Sequence, residues 1–146
     1  MKKTILLICL LISSLPLFSG QIEFIYSLES KEEIVYEDLV TMFCYLTGHD
    51  ASDDYEAKLA YLSERIDKLP QQKGRTDRVT LGDFSLLAVQ YLNLNGGILY
   101  TISRSGRYAL RELIYRGILS GNLSEYELLT GTSLLNLVQK VEYYAQ

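Results

Sequence analysis

The sequence predicts an all-α fold, a small bundle of stacked helical hairpins. Apolar residues recur at helical spacing in several separate stretches, and polar turns containing glycine or asparagine divide these stretches. One four-position apolar pattern also occurs three times, at offsets of 45 and 50 residues. With 146 residues the chain has room for one domain, so we expect a single helical unit after removal of a leader.

Residues 1–20 have the composition of a cleavable signal peptide. Two lysines follow Met1, residues 4–18 are almost unbroken apolar sequence, and small residues stand at 19 and 20. The apolar stretch is shorter than the about 20 residues that span a bilayer. We expect a mature domain of residues 21–146, without a transmembrane segment, in the periplasm or on the cell surface. An uncleaved anchor is the alternative, because a bulky residue would occupy the −3 position of the cleavage site.

Charge and cysteine content limit the possible partners and cofactors. The formal net charge is −4, yet residues 21–67 carry twelve acids against three bases and residues 68–120 carry eight bases against three acids. A chain of this balance is not expected to bind nucleic acid, although a local basic patch can form. The mature domain keeps only Cys44, whose apolar neighbours predict a buried thiol.

The N-terminal part of the mature chain predicts an extended segment followed by a helix. Residues 21–30 alternate imperfectly between apolar and polar, which favours a short strand or an extended arm. Residues 30–33, Ser-Lys-Glu-Glu, have the form of a capping box, so a helix should follow them. Its apolar positions run from Ile34 to Leu46, and Thr47-Gly48 ends the pattern.

Four more helices follow, with a polar loop and a short connector between them. A second helical pattern runs from Ala57 to Ile66, and residues 71–78 form a polar loop. A third helix begins at Thr80, with Asp83 placed to complete its cap. Residues 98–102 form a short β-leaning connector, and the remaining two helices cover about Ser105–Arg116 and Thr132–Tyr144.

The predicted helices fall into two repeating types. The apolar positions of the first helix lie 45 residues before those of the third, which lie 50 residues before those of the last. An offset of 52 residues relates the second helix to the fourth and pairs Ala57 with Ala109. The order A, B, A, B, A is typical of stacked helical repeats, whereas the alternative is chance agreement between generic amphipathic stripes.

Four segments resemble the S-layer homology module: 79–87, 108–113, 117–121 and 129–134. In that family a Thr-Arg-Ala-Glu-like turn opens one helix, and a second helix with an aromatic-Ala pair ends in Gly-Ile-(Val/Leu)-x-Gly. The resemblance implies an exported helical module that binds cell-wall polymers through the arginine and acid of the opening turn. Here the turns read Thr-Leu-Gly-Asp and Thr-Gly-Thr-Ser, so the arginine is absent and Asp83 alone keeps the acidic place.

Three arginines form the main candidate binding site. Arg104, Arg107 and Arg111 are spaced by three and four, so on the predicted fourth helix their guanidinium groups would share one face. Tyr100 and Tyr108 add flat aromatic surfaces beside them. Such a face could bind an acidic glycan or an acidic protein segment. The alternative is a solvated face neutralised by acidic residues earlier in the chain.

We predict no catalytic residues, no metal site and no cofactor. His49 is the only histidine, and no second imidazole or thiolate has matching spacing. No Gly-x-Ser-x-Gly motif occurs, and the paired acids at 32–33 and 53–54 are typical of turns and helix starts. Residues 72–83 resemble a calcium loop only weakly, because its first three ligand places fall on Gln72, Gly74 and Thr76, which carry no carboxylate.

These observations predict a non-catalytic, extracytoplasmic interaction or structural protein of the cell envelope. Its partner would be another envelope protein or a second copy of the chain. The alternative is a module similar to S-layer homology modules, which binds an acidic cell-wall glycan through the three arginines and the neighbouring tyrosines.

Overall fold

The computed structural model describes residues 15–49, 54–70, 73–95 and 97–146, so most of the predicted leader lies outside it. Over these ranges the chain forms α-helices and isolated β-bridges without a strand, which confirms the predicted all-α class. The helices are α1 Leu15–Glu29, α2 Tyr36–Leu46, α3 Tyr55–Ser63, α4 Leu81–Tyr91, α5 Ile98–Ser103, α6 Gly106–Tyr115 and α7 Gly131–Ala145. Among the described residues, no helix has both the length and the apolar character to cross a membrane.

Helices α4 and α7 begin with the same reciprocal cap. The hydroxyl of Thr80 accepts a hydrogen bond from the Asp83 amide at 3.2 Å, and the Asp83 carboxylate accepts one from the Thr80 amide at 2.9 Å. Thr130 and Ser133 repeat both bonds at 3.1 and 2.7 Å. Each cap satisfies two amides that the helix itself leaves without partners, so both helices start at defined residues.

Helix α2 begins later than the sequence predicts. Its N-cap is Val35, which has no side-chain acceptor, so only the return bond forms, from the Val35 amide to Asp38 at 3.1 Å. The predicted capping box at 30–33 is wrong: the Ser30 hydroxyl donates to the Ser27 carbonyl at 3.1 Å. That serine therefore belongs to the end of α1 rather than to the start of α2.

The residues just before the three N-caps form a closed ring of backbone hydrogen bonds. The Val79 amide donates to Ile34 at 3.3 Å, the Leu129 amide to Val79 at 3.0 Å, and the Ile34 amide to Leu129 at 3.3 Å. All three side chains are buried. The ring residues are separated by 45 and 50 positions, the offsets predicted for the A-type helices. Helices α2, α4 and α7 are therefore three structural repeats around one approximate threefold axis.

A second set of hydrogen bonds ties each of these helices to the turn that precedes another. The amide of the first residue of each helix donates to a turn carbonyl at 2.8–2.9 Å. The pairs are Tyr36 with Asp77, Leu81 with Glu127, and Gly131 with Lys31. These bonds bring the turn at 124–127 against the start of α4, where the candidate site lies.

Helices α2 and α3 run side by side in the same direction. The Lys58 ammonium donates to the Thr41 hydroxyl at 2.9 Å, and the Tyr61 hydroxyl donates to the Thr47 carbonyl at 3.1 Å. The Cys44 sulfur lies 3.7 Å from the Lys58 carbonyl oxygen and is fully buried, as predicted for this thiol.

The predicted offset between the B-type helices is wrong by one residue. It pairs Ala57 with Ala109, yet Ala57 is exposed whereas Ala109 is fully buried. An offset of 51 pairs Leu62 with Leu113, and both are fully buried. The apolar stripe of α3 is short, so sequence spacing alone did not fix its register.

Residues 21–29 are helical rather than an extended arm or strand. They belong to α1, whose Phe24 ring packs on Tyr45 at a centroid distance of 5.6 Å and whose Leu28 is fully buried. These two apolar residues are four positions apart, which places them on one helix face as well as on one strand face. Packing against α2 and α7 therefore decides the conformation. The predicted β-leaning connector is likewise helical, as α5.

Candidate binding groove

Two glycines bring the starts of α4 and α6 together. A Cβ atom on Gly106 would lie 2.6 Å from the carbonyl oxygen of Gly82, and one on Gly82 would lie 3.0 Å from the carbonyl oxygen of Glu125. Any larger residue would hold these backbones apart. Beside them a groove of about 470 Å³ is lined by polar and charged residues, and we call it the Arg107 groove. Its side-chain lining includes Lys73, Thr80, Asp83, Arg107, Glu125 and Tyr126.

The charged groups in the Arg107 groove differ in how firmly they are held. The Asp83 carboxylate is largely buried, accepts bonds from the Thr80 amide and hydroxyl, and lies 3.4 Å from the Lys73 ammonium. The Arg107 guanidinium lies 3.9 Å from Glu125 and is 58% exposed, so this pair contributes only about 0–1 kcal/mol. Asp83 thus acts first as a helix cap, whereas Arg107 can form new contacts.

Tyr126 contributes an aromatic surface that the sequence analysis missed. It is 78% exposed and lies between the Arg107 groove and a second groove of about 380 Å³, whose lining includes Arg107, Arg111 and Asn122. In the sequence, Tyr126 is marked only by its position in the turn before the opening motif at 130–133. The backbone bonds from the start of α4 to the turn at 124–127 are what bring this residue beside α6. A flat ring next to two guanidinium groups suits a planar or ring-shaped ligand.

The three predicted arginines do not share one helix face. Arg107 and Arg111 lie on α6, and the Arg111 guanidinium is 5.8 Å from the Tyr108 ring centroid. Arg104 precedes α6 as the C-cap of α5, in the left-handed conformation with φ 43°. The helical spacing predicted across 104–111 therefore fails, because the chain turns between the two helices.

Arg104 and Tyr100 lie in another cavity, of about 320 Å³. The Arg104 guanidinium is 3.4 Å from the Asp67 carboxylate. Burial raises the pKa of the Tyr100 hydroxyl, and the nearby Arg104 charge partly opposes this rise. The predicted cluster is thus divided between two sites.

The first repeat has different chemistry at the corresponding place. By the offsets of 45 and 51, Glu37 and Tyr55 correspond to Gly82 and Gly106. The Glu37 carboxylate accepts two hydrogen bonds from Arg75, at 2.7 and 2.8 Å, and the Arg75 guanidinium is 5.7 Å from the Tyr55 ring centroid. The hydrogen bonds from Arg75 lower the pKa of Glu37. The first repeat therefore has the bidentate ion pair of Glu37 and Arg75 at the place where two glycines bring the backbones into contact in the second repeat.

His49 lies in an aromatic stack. Its ring is 3.9 Å from the Tyr61 ring centroid with an interplanar angle of 18°, and the Arg65 guanidinium is 3.7 Å from the same centroid. Asp50 and Asp53, its acidic sequence neighbours, lie outside the described residues. Within the described ranges, no three His, Cys, Asp or Glu residues gather as a metal site would require.

Further tyrosines stand out from the surface at the ends of α6 and α7. Tyr115 and Tyr143 are 84% and 82% exposed. Tyr143 and Tyr144 line a shallow groove of about 510 Å³ together with Ile118 and Lys140. We call the four groove residues Ile118, Lys140, Tyr143 and Tyr144 the tyrosine surface.

Comparison of the chain with models of protein families, with curated proteins and with solved structures finds no match. The resemblance to the S-layer homology module stays a prediction from the sequence motifs.

Proposed function

We propose that the chain is a non-catalytic interaction module of the cell envelope, which binds another envelope protein or a second copy of itself. The observation that carries this proposal is the tyrosine surface, where Tyr143 is 82% exposed and Tyr144 is 42% exposed. Tyrosine is enriched at protein interfaces because its rigid ring buries a large area while its hydroxyl still finds a partner.

The surroundings of the tyrosine surface support a protein contact. The exposed tyrosine rings supply apolar area, the largely buried Ile118 lines the floor of the groove, and Lys140 adds a charged group. An apolar centre with polar groups at its edge is the usual composition of an interface.

Photo-crosslinking in whole cells tests this proposal. A photoreactive residue at Tyr143 should give one predominant adduct, either with a single partner protein or with a second copy of the chain. The control is the same residue at Ala60, an exposed position on α3. The proposal fails if Tyr143 gives no adduct above the Ala60 background.

Export is proposed from the leader and has its own test. Fractionation should recover the protein outside the cytoplasm, and sequencing of its N-terminus should begin near residue 21. Recovery of the full-length chain in the cytoplasm would contradict the proposed location.

A second candidate function is the binding of an acidic cell-wall glycan, favoured by the Arg107 groove. Arg107 and Tyr126 combine a guanidinium with an exposed ring, next to the acidic place of the opening turn at Asp83. Guanidinium groups recognise carboxylates and phosphates in a bidentate manner, and the ring offers an apolar face for a sugar.

Retention on purified, acid-treated cell wall tests the glycan candidate. The wild-type chain should be retained, and the double variant Arg107→Ala/Arg111→Ala should lose retention. Lys140→Ala removes one positive charge from the tyrosine surface and serves as the control, since it should stay bound. Retention unchanged in the double variant would exclude the Arg107 groove as the glycan site.

A further inference from the structure

A separate cavity lies between the end of α3, the end of α4 and α5. It measures about 320 Å³ and has no lining residue in common with the Arg107 groove. Its polar lining includes Arg65, Asp67, Asn93, Asn95, Tyr100 and Arg104. Small-molecule sites span roughly 300–1,000 Å³, so this cavity fits a compact ligand such as one sugar ring or one amino acid.

The backbone at two of these residues is strained. Among the described residues, only Asn93 and Arg104 are non-glycine residues with positive φ, at 50° and 43°. Asparagine tolerates this conformation, but arginine does so at a cost in free energy. The Arg104 amide donates to the Tyr100 carbonyl at 2.7 Å and closes α5, a place where glycine is usual. Glycine would adopt this backbone conformation at a lower cost in free energy. The arginine therefore indicates that its side chain has a role in this cavity.

The cavity carries a net positive charge. Two guanidinium groups line it, against the single carboxylate of Asp67. Asp67 is 80% exposed and meets Arg104 through one 3.4 Å contact, so most Arg104 donors stay available. Arg65 lies 3.7 Å from the Tyr61 ring centroid and 3.6 Å from the Glu64 carboxylate outside the cavity, so Arg104 is the cation with more donors available.

A pair of hydrogen bonds keeps the cavity walls in place. The Gln90 side chain accepts from the Lys68 amide and donates to the Lys68 carbonyl, both at 2.8 Å. The Lys68 ammonium donates to the Ser103 carbonyl at 3.3 Å. These contacts tie the segment after α3 to α4 and α5, so the charged groups are held in place before any ligand binds.

We propose that this cavity binds a compact molecule or terminal group that carries one carboxylate. Arg104 binds the carboxylate, the amides of Asn93 and Asn95 provide further hydrogen bonds, and Tyr100 forms one wall. A uronic acid and the C-terminal residue of a peptide share this chemistry. The site is independent of the tyrosine surface and of the Arg107 groove.

Titration calorimetry on the full chain tests the proposal with sodium glucuronate and N-acetylalanine, one probe for each source. Glucose and N-acetylalanine amide are their neutral counterparts. At least one acid should bind saturably, and its neutral counterpart should bind at least about tenfold more weakly, because the loss of a charged partner costs that much or more. The better of the two acids identifies the source.

Two variants locate the binding. Asn93→Asp keeps a residue that tolerates positive φ and adds a negative charge to the wall, and it should weaken binding of the acid at least about tenfold. Arg104→Gln should weaken it similarly, while Arg78→Gln, which lines neither this cavity nor the Arg107 groove, should leave it unchanged. If Arg104→Gln also lowers the melting temperature, its weaker binding could come from unfolding, and the binding measured for Asn93→Asp then decides whether the cavity is the site. The proposal is overturned if neither acid binds, if the neutral counterparts bind equally well, or if Asn93→Asp binds like the wild type.

Discussion

Gly106 and Gly82 are in direct backbone contact: a Cβ atom on Gly106 would lie 2.6 Å from the Gly82 carbonyl oxygen and 2.8 Å from its Cα. Real Cβ atoms do not come this close to backbone atoms. The contact sets the separation of α4 and α6 and therefore the shape of the Arg107 groove.

Gly106→Ala should destabilise the domain by about 1–3 kcal/mol, the usual cost of forcing an extra methyl group into a packed site. Alanine favours a helix over glycine by up to about 1 kcal/mol. The measured change in the free energy of unfolding is therefore the cost of the clash minus this gain. Urea denaturation measures the change. The control is Gly97→Ala, where a Cβ meets no atom within 4 Å and the change should stay within about 0.5 kcal/mol. Equal effects at the two glycines would contradict the backbone contact.

Gly131→Ala should be more damaging. A Cβ there would overlap the Leu28 carbonyl oxygen, which no side-chain movement can relieve. The end of α1 must leave α7, which exposes the buried Leu28 and costs about 2–5 kcal/mol, as for other losses of a buried leucine.

Limited trypsin digestion separates this local effect from general unfolding. Lys31 follows α1, and its carbonyl accepts the Gly131 amide at 2.9 Å. Cleavage after Lys31 should accelerate in Gly131→Ala before cleavage elsewhere does. Unchanged digestion and stability would show that α1 is not docked at this point.

Asp83→Ala should lower stability by about 0.5–2 kcal/mol, because the Thr80 amide and hydroxyl both lose the carboxylate that accepts their bonds. Since Asp83 acts as a cap, the variant tests its structural role. Ser133→Ala removes the corresponding group from α7, and thermal unfolding of the two variants should show losses of similar size. No loss in Asp83→Ala would mean that the residue is held for another purpose.

Helices α4 and α7 could be predicted from the sequence because their caps and apolar stripes are local, whereas the predicted cap of α2 at 30–33 is wrong. Thr80 and Asp83 lie three residues apart, and the offsets of 45 and 50 appear directly in the printed sequence. In the structure, residues separated by these offsets are joined by the ring of backbone hydrogen bonds between Ile34, Val79 and Leu129. Local chemistry and long-range packing agree in these helices, so the prediction succeeded.

The errors occurred where long-range contacts decide the structure. Phe24 and Leu28 fit a strand or a helix equally well until their packing partners are known. Arg104 continues a helical spacing in sequence, but its left-handed backbone ends α5 and separates it from Arg107. Tyr126 comes beside α6 through two long-range backbone bonds, from the Leu81 amide to Glu127 and from the Gly82 amide to Glu125.

The ion pair between Glu37 and Arg75 should make stability depend on pH. Hydrogen bonds from Arg75 lower the pKa of Glu37 in the folded state, against the opposing effect of burial. A lowered pKa stabilises the fold above the ordinary pKa of glutamate, and this contribution is lost as the pH falls through the folded value. Arg75→Gln should therefore make the free energy of unfolding less dependent on pH over about pH 3 to 6.

Urea denaturation across that range measures the slope, and carboxyl NMR should report a higher pKa for Glu37 in Arg75→Gln. The control is Arg78→Gln, which removes a more exposed pair with Glu33. An unchanged Glu37 pKa in Arg75→Gln would show that the bidentate pair does not form in solution.

Tyr36 buries a hydroxyl for which the described structure provides no hydrogen-bond partner. Burial raises its pKa, and the nearby Tyr55 and Asp83 raise it further, so the group stays neutral at physiological pH. An unpaired buried hydroxyl costs about 1–3 kcal/mol of desolvation that the fold does not recover.

Tyr36→Phe keeps the ring and removes that cost, so it should leave stability unchanged or increase it by about 1 kcal/mol. Tyr61→Phe, which loses a 3.1 Å bond to the Thr47 carbonyl, should instead lower stability by about 0.5–1.5 kcal/mol in the same urea denaturation. A loss of that size in Tyr36→Phe would show that the Tyr36 hydroxyl is hydrogen-bonded in solution.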